Sequence, residues 1–285
     1  MSCVAAASMP AQAQTATPAS SDPTLGEIVV SGSRSEQRRF DVPGAIDAVE
    51  IDPMRLGSPL VNLSELMSAV QGTQVRNREN YAQDLQLSVR GFGTRSTFGV
   101  RGVRILIDGI PATQPDGQGQ AATASLTSAK RIEVLRGPVA QLYGNAAGGV
   151  VQVFTADAPE RATLDVALMG GSFGQHREQL RFGARDGTLG LVANLSRYHT
   201  DGFREHSAAT RDQLNAKVTN AFLGGTATVV LNVLNQPDTQ DPLGLSRAQF
   251  EADPRGVDPA ANAFDTRKTV RQHQLGAIHE ARLAG

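Results

Sequence analysis

The second half of the chain alternates apolar and polar residues with a period of two. Five short runs carry this alternation clearly, and a sixth, residues 270–283, carries it more weakly. A period of two places successive side chains on opposite faces of a β-strand. The pattern predicts about six antiparallel strands. The apolar members of the five runs are Leu164, Val166 and Leu168; Leu180, Phe182 and Ala184; Leu189, Leu191, Ala193 and Leu195; Leu214, Ala216 and Val218; and Ala227, Val229, Leu231 and Val233.

The connections between these runs are alternately short and long. The second and third runs are joined through Arg185-Asp186-Gly187, and the fourth and fifth through Leu223-Gly224-Gly225. About a dozen residues separate runs three and four, and about thirty separate runs five and six. A β-barrel of the outer membrane has short turns at one end, long loops at the other and apolar residues facing lipid. The connections therefore favour a barrel, and a soluble β-sandwich is the alternative.

The first half of the chain mixes two periodicities. Apolar residues at helical spacing predict a helix over residues 62–70, whereas residues 103–107 and 150–154 are short β-rich runs bounded by Gly and Asp. This mixture predicts a compact domain that ends near residue 158. The expected fold is an α+β domain followed by an incomplete antiparallel transmembrane β-barrel of about six strands.

The first 22 residues are small and polar and contain Ala11-Gln12-Ala13. This triplet is typical of a signal-peptide cleavage site, so we expect export from the cytoplasm. The alternative is a disordered tail of small residues.

The composition excludes several classes of function. The net charge is -1, which gives no basic field for binding nucleic acid. The single cysteine and five histidines show no metal-ligand spacing, and no run approaches the roughly 18 apolar residues of a membrane-spanning helix. We find no nucleophile with its base, no paired carboxylates and no cofactor loop. The expectation is a protein that is not an enzyme and has no cofactor and no resident metal.

Three stretches, in this order, resemble the TonB-dependent outer-membrane receptors. The first is Glu27-Ile28-Val29-Val30-Ser31-Gly32, which resembles a TonB box. The second, residues 87–118, contains VRG and ILIDGIP, and the third, residues 132–155, contains IEVLRGP, LYG and GGVV. The resemblance implies a plug domain inside a 22-stranded barrel, which needs roughly 220 residues in strands alone. Because 125 residues follow Glu160, we expect a C-terminally truncated chain.

The resemblance divides the chain into four segments. These are a residual signal peptide and tail at 1–22, a TonB-box segment at 23–39, the plug at 40–160 and the first barrel strands at 161–285. The resemblance also implies that Glu27, Ile28, Val29, Val30 and Ser31 add a strand to the periplasmic domain of TonB. The alternative is that this strand only packs on the plug sheet.

Two arginines of the motifs are implied to lock the plug. Arg90 and Arg136 each precede a glycine where the plug should meet the barrel wall, and a guanidinium suits buried carboxylates. The carboxylates would lie beyond residue 285, so in this chain we expect both arginines to lack them. The alternative is that they are solvated residues at strand ends.

Polar and aromatic residues in loops of the plug are implied to bind the ligand. Their cations, amides and rings suit an anionic or catecholate metal chelate, although each could equally be a solvated loop residue. These candidates are Arg78, Asn80, Tyr81, Arg95, Thr97, Phe98, Gln114, Asp116 and Gln118.

The function implied by the resemblance is active uptake of a ferric siderophore or similar iron complex across the outer membrane of a Gram-negative bacterium. Its partners would be TonB, the iron chelate and outer-membrane lipid. The alternatives are a plug-only binding or signalling module, and a receptor for cobalamin, another metal chelate or an oligosaccharide.

Overall fold

The computed structural model describes residues 29–30, 37–38, 41–42, 44–52, 57–77, 80–94, 96, 99–114, 116–144 and 146–281. The candidate signal segment 1–22 and the TonB-box residues Glu27, Ile28 and Ser31 lie outside this part of the chain. A mixed domain ends at a strand that finishes at Thr155, and a separate sheet begins at Thr163. The limits of the four segments given above remain predictions.

The mixed domain is built on a five-stranded sheet in the order β3-β10-β11-β7-β8. Strand β11 runs parallel to β7, and the other neighbours are antiparallel. The pairs β1-β2, β4-β5 and β6-β9 form small two-stranded sheets. The strands are β1 (Val29–Val30), β2 (Gln37–Arg38), β3 (Ala45–Glu50), β4 (Thr73–Arg76), β5 (Gln86–Val89), β6 (Val100–Arg101), β7 (Val103–Ile107), β8 (Ile110–Pro111), β9 (Gln118–Gly119), β10 (Ala129–Arg136) and β11 (Gly149–Thr155).

The predicted helix is present but shorter than expected. Helix α1 spans Ser64–Met67, although the apolar positions of residues 61–70 are buried as their spacing predicted. The chain reverses at once because the Thr73 hydroxyl donates to the carbonyls of Met67 and Val70, at 3.0 and 2.7 Å. Gly72, with a φ of 72°, supplies the left-handed turn. The described part of the domain also contains 3-10 helices at Ala121–Thr123, Leu126–Ser128 and Gly137–Tyr143.

The second part is a six-stranded antiparallel sheet in sequential order, which confirms the predicted strands. Strands β12 and β17 each pair with a single strand among the described residues, so the barrel is incomplete. The expected fold class is therefore confirmed. The strands are β12 (Thr163–Gly170), β13 (His176–Asp186), β14 (Leu189–Thr200), β15 (Ala209–Phe222), β16 (Gly225–Gln240) and β17 (Arg267–Ala281).

The connections have the predicted asymmetry. Two-residue turns join β13 to β14 and β15 to β16, whereas longer loops at the opposite end cover residues 171–175, 201–208 and 241–266. The last loop contains helices α2 (Arg247–Ala252) and α3 (Pro259–Phe264). Arg204 lies in the neighbouring loop 201–208 and holds loop 241–266 in place, because its guanidinium donates hydrogen bonds to three carbonyls of that loop. These are the carbonyls of Pro242 at 3.1 Å, Leu243 at 2.7 Å and Gly256 at 2.9 Å.

None of the helices in the described ranges is long and apolar enough to cross a membrane.

Candidate functional site

The face of the six-stranded sheet that meets the mixed domain is polar. Side chains on this face are buried although most of them carry amides, hydroxyls or charges, and they reach the mixed domain from β13 through β17. Buried polar groups require hydrogen-bond partners. The sheet and the mixed domain are therefore joined by many buried hydrogen bonds. The buried polar residues of this face include Arg177, Gln179, Asn194, Ser196, Arg211, Gln213, Asn215, Lys217, Asn232 and Gln236.

The opposite face of the sheet is apolar and exposed. On β12, for example, Leu164, Val166 and Leu168 are between 62% and 77% exposed. On β13 the outward apolar positions lie between Glu178 and Asp186, which are about 26 Å apart along the strand at roughly 3.3 Å per residue. At the ~40° tilt of barrel strands this distance corresponds to a height of about 20 Å, which is of the order of the ~25 Å apolar band of outer-membrane barrels. Exposed leucines in such rows are costly in water and suit lipid.

A short stretch of the mixed domain, residues 58–62, is held between opposite charges. Two arginines of the sheet donate hydrogen bonds to its backbone carbonyls, and the Glu65 carboxylate accepts hydrogen bonds from three of its backbone amides. Leu60 within it is 1% exposed and has a φ of 53°, a strained conformation that these contacts hold in place. Arg177 donates to the Ser58 and Pro59 carbonyls at 2.9 and 3.1 Å. Arg211 donates to the Val61 carbonyl at 2.6 Å. The Glu65 carboxylate accepts from the Leu60, Val61 and Asn62 amides at 2.7, 2.8 and 2.8 Å.

A buried lysine, Lys217 on β15, forms a second anchor. Its side chain is 6% exposed, and its ammonium donates to the Thr155 carbonyl at 2.9 Å and to Asp157 at 3.0 Å. Asp108 lies 3.7 Å away and accepts from the amide and hydroxyl of Thr155 at 2.9 and 2.6 Å. Burial acts to raise the pKa of Asp157, but Lys217 and Lys130 hold that pKa below its ordinary 3.8.

The sequence reasoning assigned only a turn to Asp108. The turn is present, with φ values of 47° and 78° at Asp108 and Gly109, but its carboxylate also faces Lys217 of the sheet. The anchoring role of Arg177, Arg211 and Lys217 was missed as well. The signal that could have found them is a long cationic side chain at a polar position of an alternating strand.

The two arginines expected to lock the plug lie in different surroundings. Arg136 is buried and forms an ion pair with Asp47 of β3, and it also donates to the Gln71 carbonyl. Arg136 therefore has a carboxylate partner within the plug sheet, because β3 pairs with β10 and brings Asp47 to it. Arg90 is exposed, with a φ of 49°. A lock to further barrel carboxylates remains a prediction for both.

The ligand candidates are divided among three places. Arg78, Arg95, Thr97 and Phe98 lie outside the described residues. Gln114, Asp116 and Gln118 are exposed in one tight loop, where Asp116 accepts from the Gln118 amide at 3.0 Å.

Asn80 and Tyr81 instead face the long loops of the sheet. The Asn80 amide donates to Asp241 at 2.7 Å. The Tyr81 hydroxyl lies 2.7 Å from that of Tyr198, which also accepts from Gln175 at 2.7 Å. A ligand contact by any of the nine candidates remains a prediction.

The sequence profile of the TonB-dependent Receptor Plug Domain family matches residues 38–150. Residues 38–150 are a plug domain of the TonB-dependent receptor type. In this family's terms the mixed domain is the plug, and the six strands are barrel strands.

Two curated relatives and one solved structure show what this chain is similar to. The chain is 31% identical over 152 residues to the ferric enterobactin receptor PirA of Pseudomonas aeruginosa, which covers 48% of this chain and 19% of that protein. It is 29% identical over 210 residues to the hemin receptor of Yersinia enterocolitica, which covers 73% of this chain and 28% of that protein. The chain thus spans less than a third of the length of either relative.

The ferric citrate transporter FecA in the unliganded form is similar to this chain in fold. The superposition has a TM-score of 0.64 at 24% identity and covers 77% of this chain and 35% of that structure.

Proposed function

We propose that this chain supplies the plug and first barrel strands of an outer-membrane receptor that takes up a ferric siderophore or similar iron complex in a Gram-negative bacterium. The observation that carries the proposal is the pair of faces of the six-stranded sheet. One face is apolar and exposed, and the other holds the plug through buried polar contacts. A sheet of this kind separates lipid from an occluded lumen.

The plug must move for a ligand to pass, and the contacts that hold it are polar. Polar contacts can exchange for water when a plug shifts, whereas an apolar interface would have to expose its surface to water. The anchors at residues 58–62 and at Lys217 hold the resting state and remain reversible. We propose that TonB supplies the energy for this movement.

The TonB contact is assigned to Glu27, Ile28, Val29, Val30 and Ser31. Val29 and Val30 pair with Arg38 and Gln37 in the two-residue ladder β1-β2. A ladder this short is marginal in water, so opening it is inexpensive. Once open, the strand can add to an exposed sheet edge of TonB.

The proposed ligand class is an iron chelate with anionic or aromatic groups. The names of the two curated relatives, a ferric enterobactin receptor and a hemin receptor, support an iron complex. The candidate residues in the plug loops supply amides, a phenol and guanidinium groups that suit such a ligand.

Uptake of radioiron-labelled ferric enterobactin tests the proposal. The receptor that contains this chain would be produced in a strain lacking its own ferric enterobactin receptor, with and without TonB. We expect the label to accumulate with TonB and only to bind at the surface without it. Equal accumulation in both strains would contradict TonB-driven uptake, and binding without uptake in both would favour the plug-only module.

A further inference from the structure

The side chain of Asp241 lies where the plug meets the longest loop of the sheet. Asp241 directly follows β16 and is 8% exposed. Its carboxylate accepts from the Asn80 amide at 2.7 Å and from the Gln83 amide, both on the plug. It also accepts from the Leu243 amide at 2.9 Å, inside the loop. One buried carboxylate therefore joins two parts of the chain that are about 160 residues apart.

Asp241 also closes the neck of loop 241–266. Its amide donates to the Thr266 carbonyl at 2.9 Å, and the Thr266 hydroxyl donates to the Asp241 carbonyl at 2.7 Å. The two strands that carry the loop hold the plug beside it. Gln236 donates to the Tyr81 carbonyl at 2.8 Å, and Lys268 pairs with Asp84 at 2.7 Å.

The Asn80 amide is already occupied in this arrangement. Its nitrogen donates to Asp241, and its oxygen accepts from the Ala82 amide at 3.0 Å. The Asn80 nitrogen carries two N–H groups, one of which donates to Asp241, so an anionic ligand that takes this N–H competes with the Asp241 carboxylate for it. Such competition couples the ligand to the neck of the loop, and the coupling acts equally in both directions.

We propose that Asp241 is a positioning residue that holds plug residues 80–84 and loop 241–266 as one unit, so that a ligand taking the Asn80 amide also loosens the loop. The ligand half of this proposal rests on the proposed function. The link between Asn80 and the loop stands on the contacts alone.

Hydrogen–deuterium exchange of the full chain in outer-membrane vesicles tests the link. The variants are Asn80→Asp, Asp241→Asn and the two together, with Asp186→Asn at the opposite end of the sheet as the matched control. We expect each single change to speed exchange of the 242–265 amides about tenfold, equivalent to about 1.4 kcal/mol. The control should leave these amides unchanged.

The double variant distinguishes positioning from a general loss of stability. It restores an amide facing a carboxylate between positions 80 and 241, but the amide at position 241 has only one oxygen for the Gln83 and Leu243 donors. We therefore expect exchange slower than in both single variants and faster than in the unmodified chain. Unchanged exchange in both single variants would overturn the link. So would a double variant that exchanges as fast as the singles.

Ferric enterobactin serves as the probe for the ligand half. Saturation of the unmodified receptor should speed exchange of residues 242–265, and Asp241→Asn should remove that response because the loop is already loose. Binding with no change in these amides would overturn the coupling to ligand. Absence of binding to the unmodified receptor would count against the proposed substrate, whereas the exchange of the variants would still decide the link between Asn80 and the loop.

Discussion

The single side chain of Lys217 contacts several partners at the interface between plug and sheet. Its ammonium is buried among the Thr155 carbonyl, Asp157 and Asp108. Removing one partner of a buried charged group leaves the others without compensation, which costs more than the net value of the contact. We therefore regard this lysine as the most sensitive charged position of the interface.

Replacement of Lys217 by Met should lower the free energy of unfolding by about 3 kcal/mol, because Asp108 loses its buried cation. Thermal unfolding of the receptor in detergent measures the effect. The matched control is Arg247→Met, which removes a cation from an exposed ion pair with Glu251 and should cost less than about 0.5 kcal/mol. Equal decreases in the free energy of unfolding of the two variants would show that the buried Lys217 contacts stabilise the protein no more than an exposed ion pair.

The Asp157 carboxylate makes the stability of the interface depend on pH in the acidic range. Its folded pKa lies below 3.8, so its contribution is complete above the unfolded pKa and is lost as the pH falls through the folded value. The melting temperature of the unmodified chain should therefore fall more between pH 6 and pH 3 than that of Asp157→Asn. Parallel pH profiles for the two proteins would contradict this assignment.

Arg136 should be needed even without further barrel carboxylates. Arg136→Ala leaves Asp47 partly buried without its cation, so we expect a loss of about 3 kcal/mol in the free energy of unfolding. Arg90→Ala is the control, because that side chain is exposed and its loss should stay within about 0.5 kcal/mol. A similar melting temperature for both variants would contradict the role of Asp47.

At the scale of elements, the strands of the sheet could be predicted, and so could the helix except for the residue at which it ends. Alternation depends only on neighbouring residues, so the runs from Leu164 to Val233 located the first five strands and their two tight turns. The end of α1 depends on the Thr73 hydroxyl, which takes carbonyls that a longer helix would need. Helical spacing marks the buried positions, but it does not show where a side chain will end the helix.

A change in strand β1 tests the proposed contact with TonB. Val29→Pro removes an amide that strand addition requires, so we expect uptake of labelled ferric enterobactin to stop while surface binding is retained. Cells producing the receptor with Val29→Ala provide the control, since alanine keeps the amide. Uptake at the unmodified rate by the proline variant would show that the TonB contact lies elsewhere.

At the scale of the molecule, the sequence identified both parts but not the cations that the sheet supplies to the plug. The lock of plug cations to barrel acids implied by the resemblance remains a prediction, and the described strands add Arg177, Arg211 and Lys217, which donate to acceptors on the plug. These partners are separated by 60 residues or more. Such pairs depend on how the plug is seated against the sheet, which local patterns do not encode.

The sequential order of the strands has a consequence for how the molecule assembles. Each strand of the sheet finds its partner in the next stretch of chain, so the sheet has low contact order and can form as a succession of hairpins. The hydrogen bond from Arg211 to Val61 must instead close a loop of 150 residues. We therefore expect the plug to be seated late in folding, after β13 to β15 have presented their cations. A chain interrupted before that step would expose the polar lining of the sheet to water while its leucines already lie in lipid.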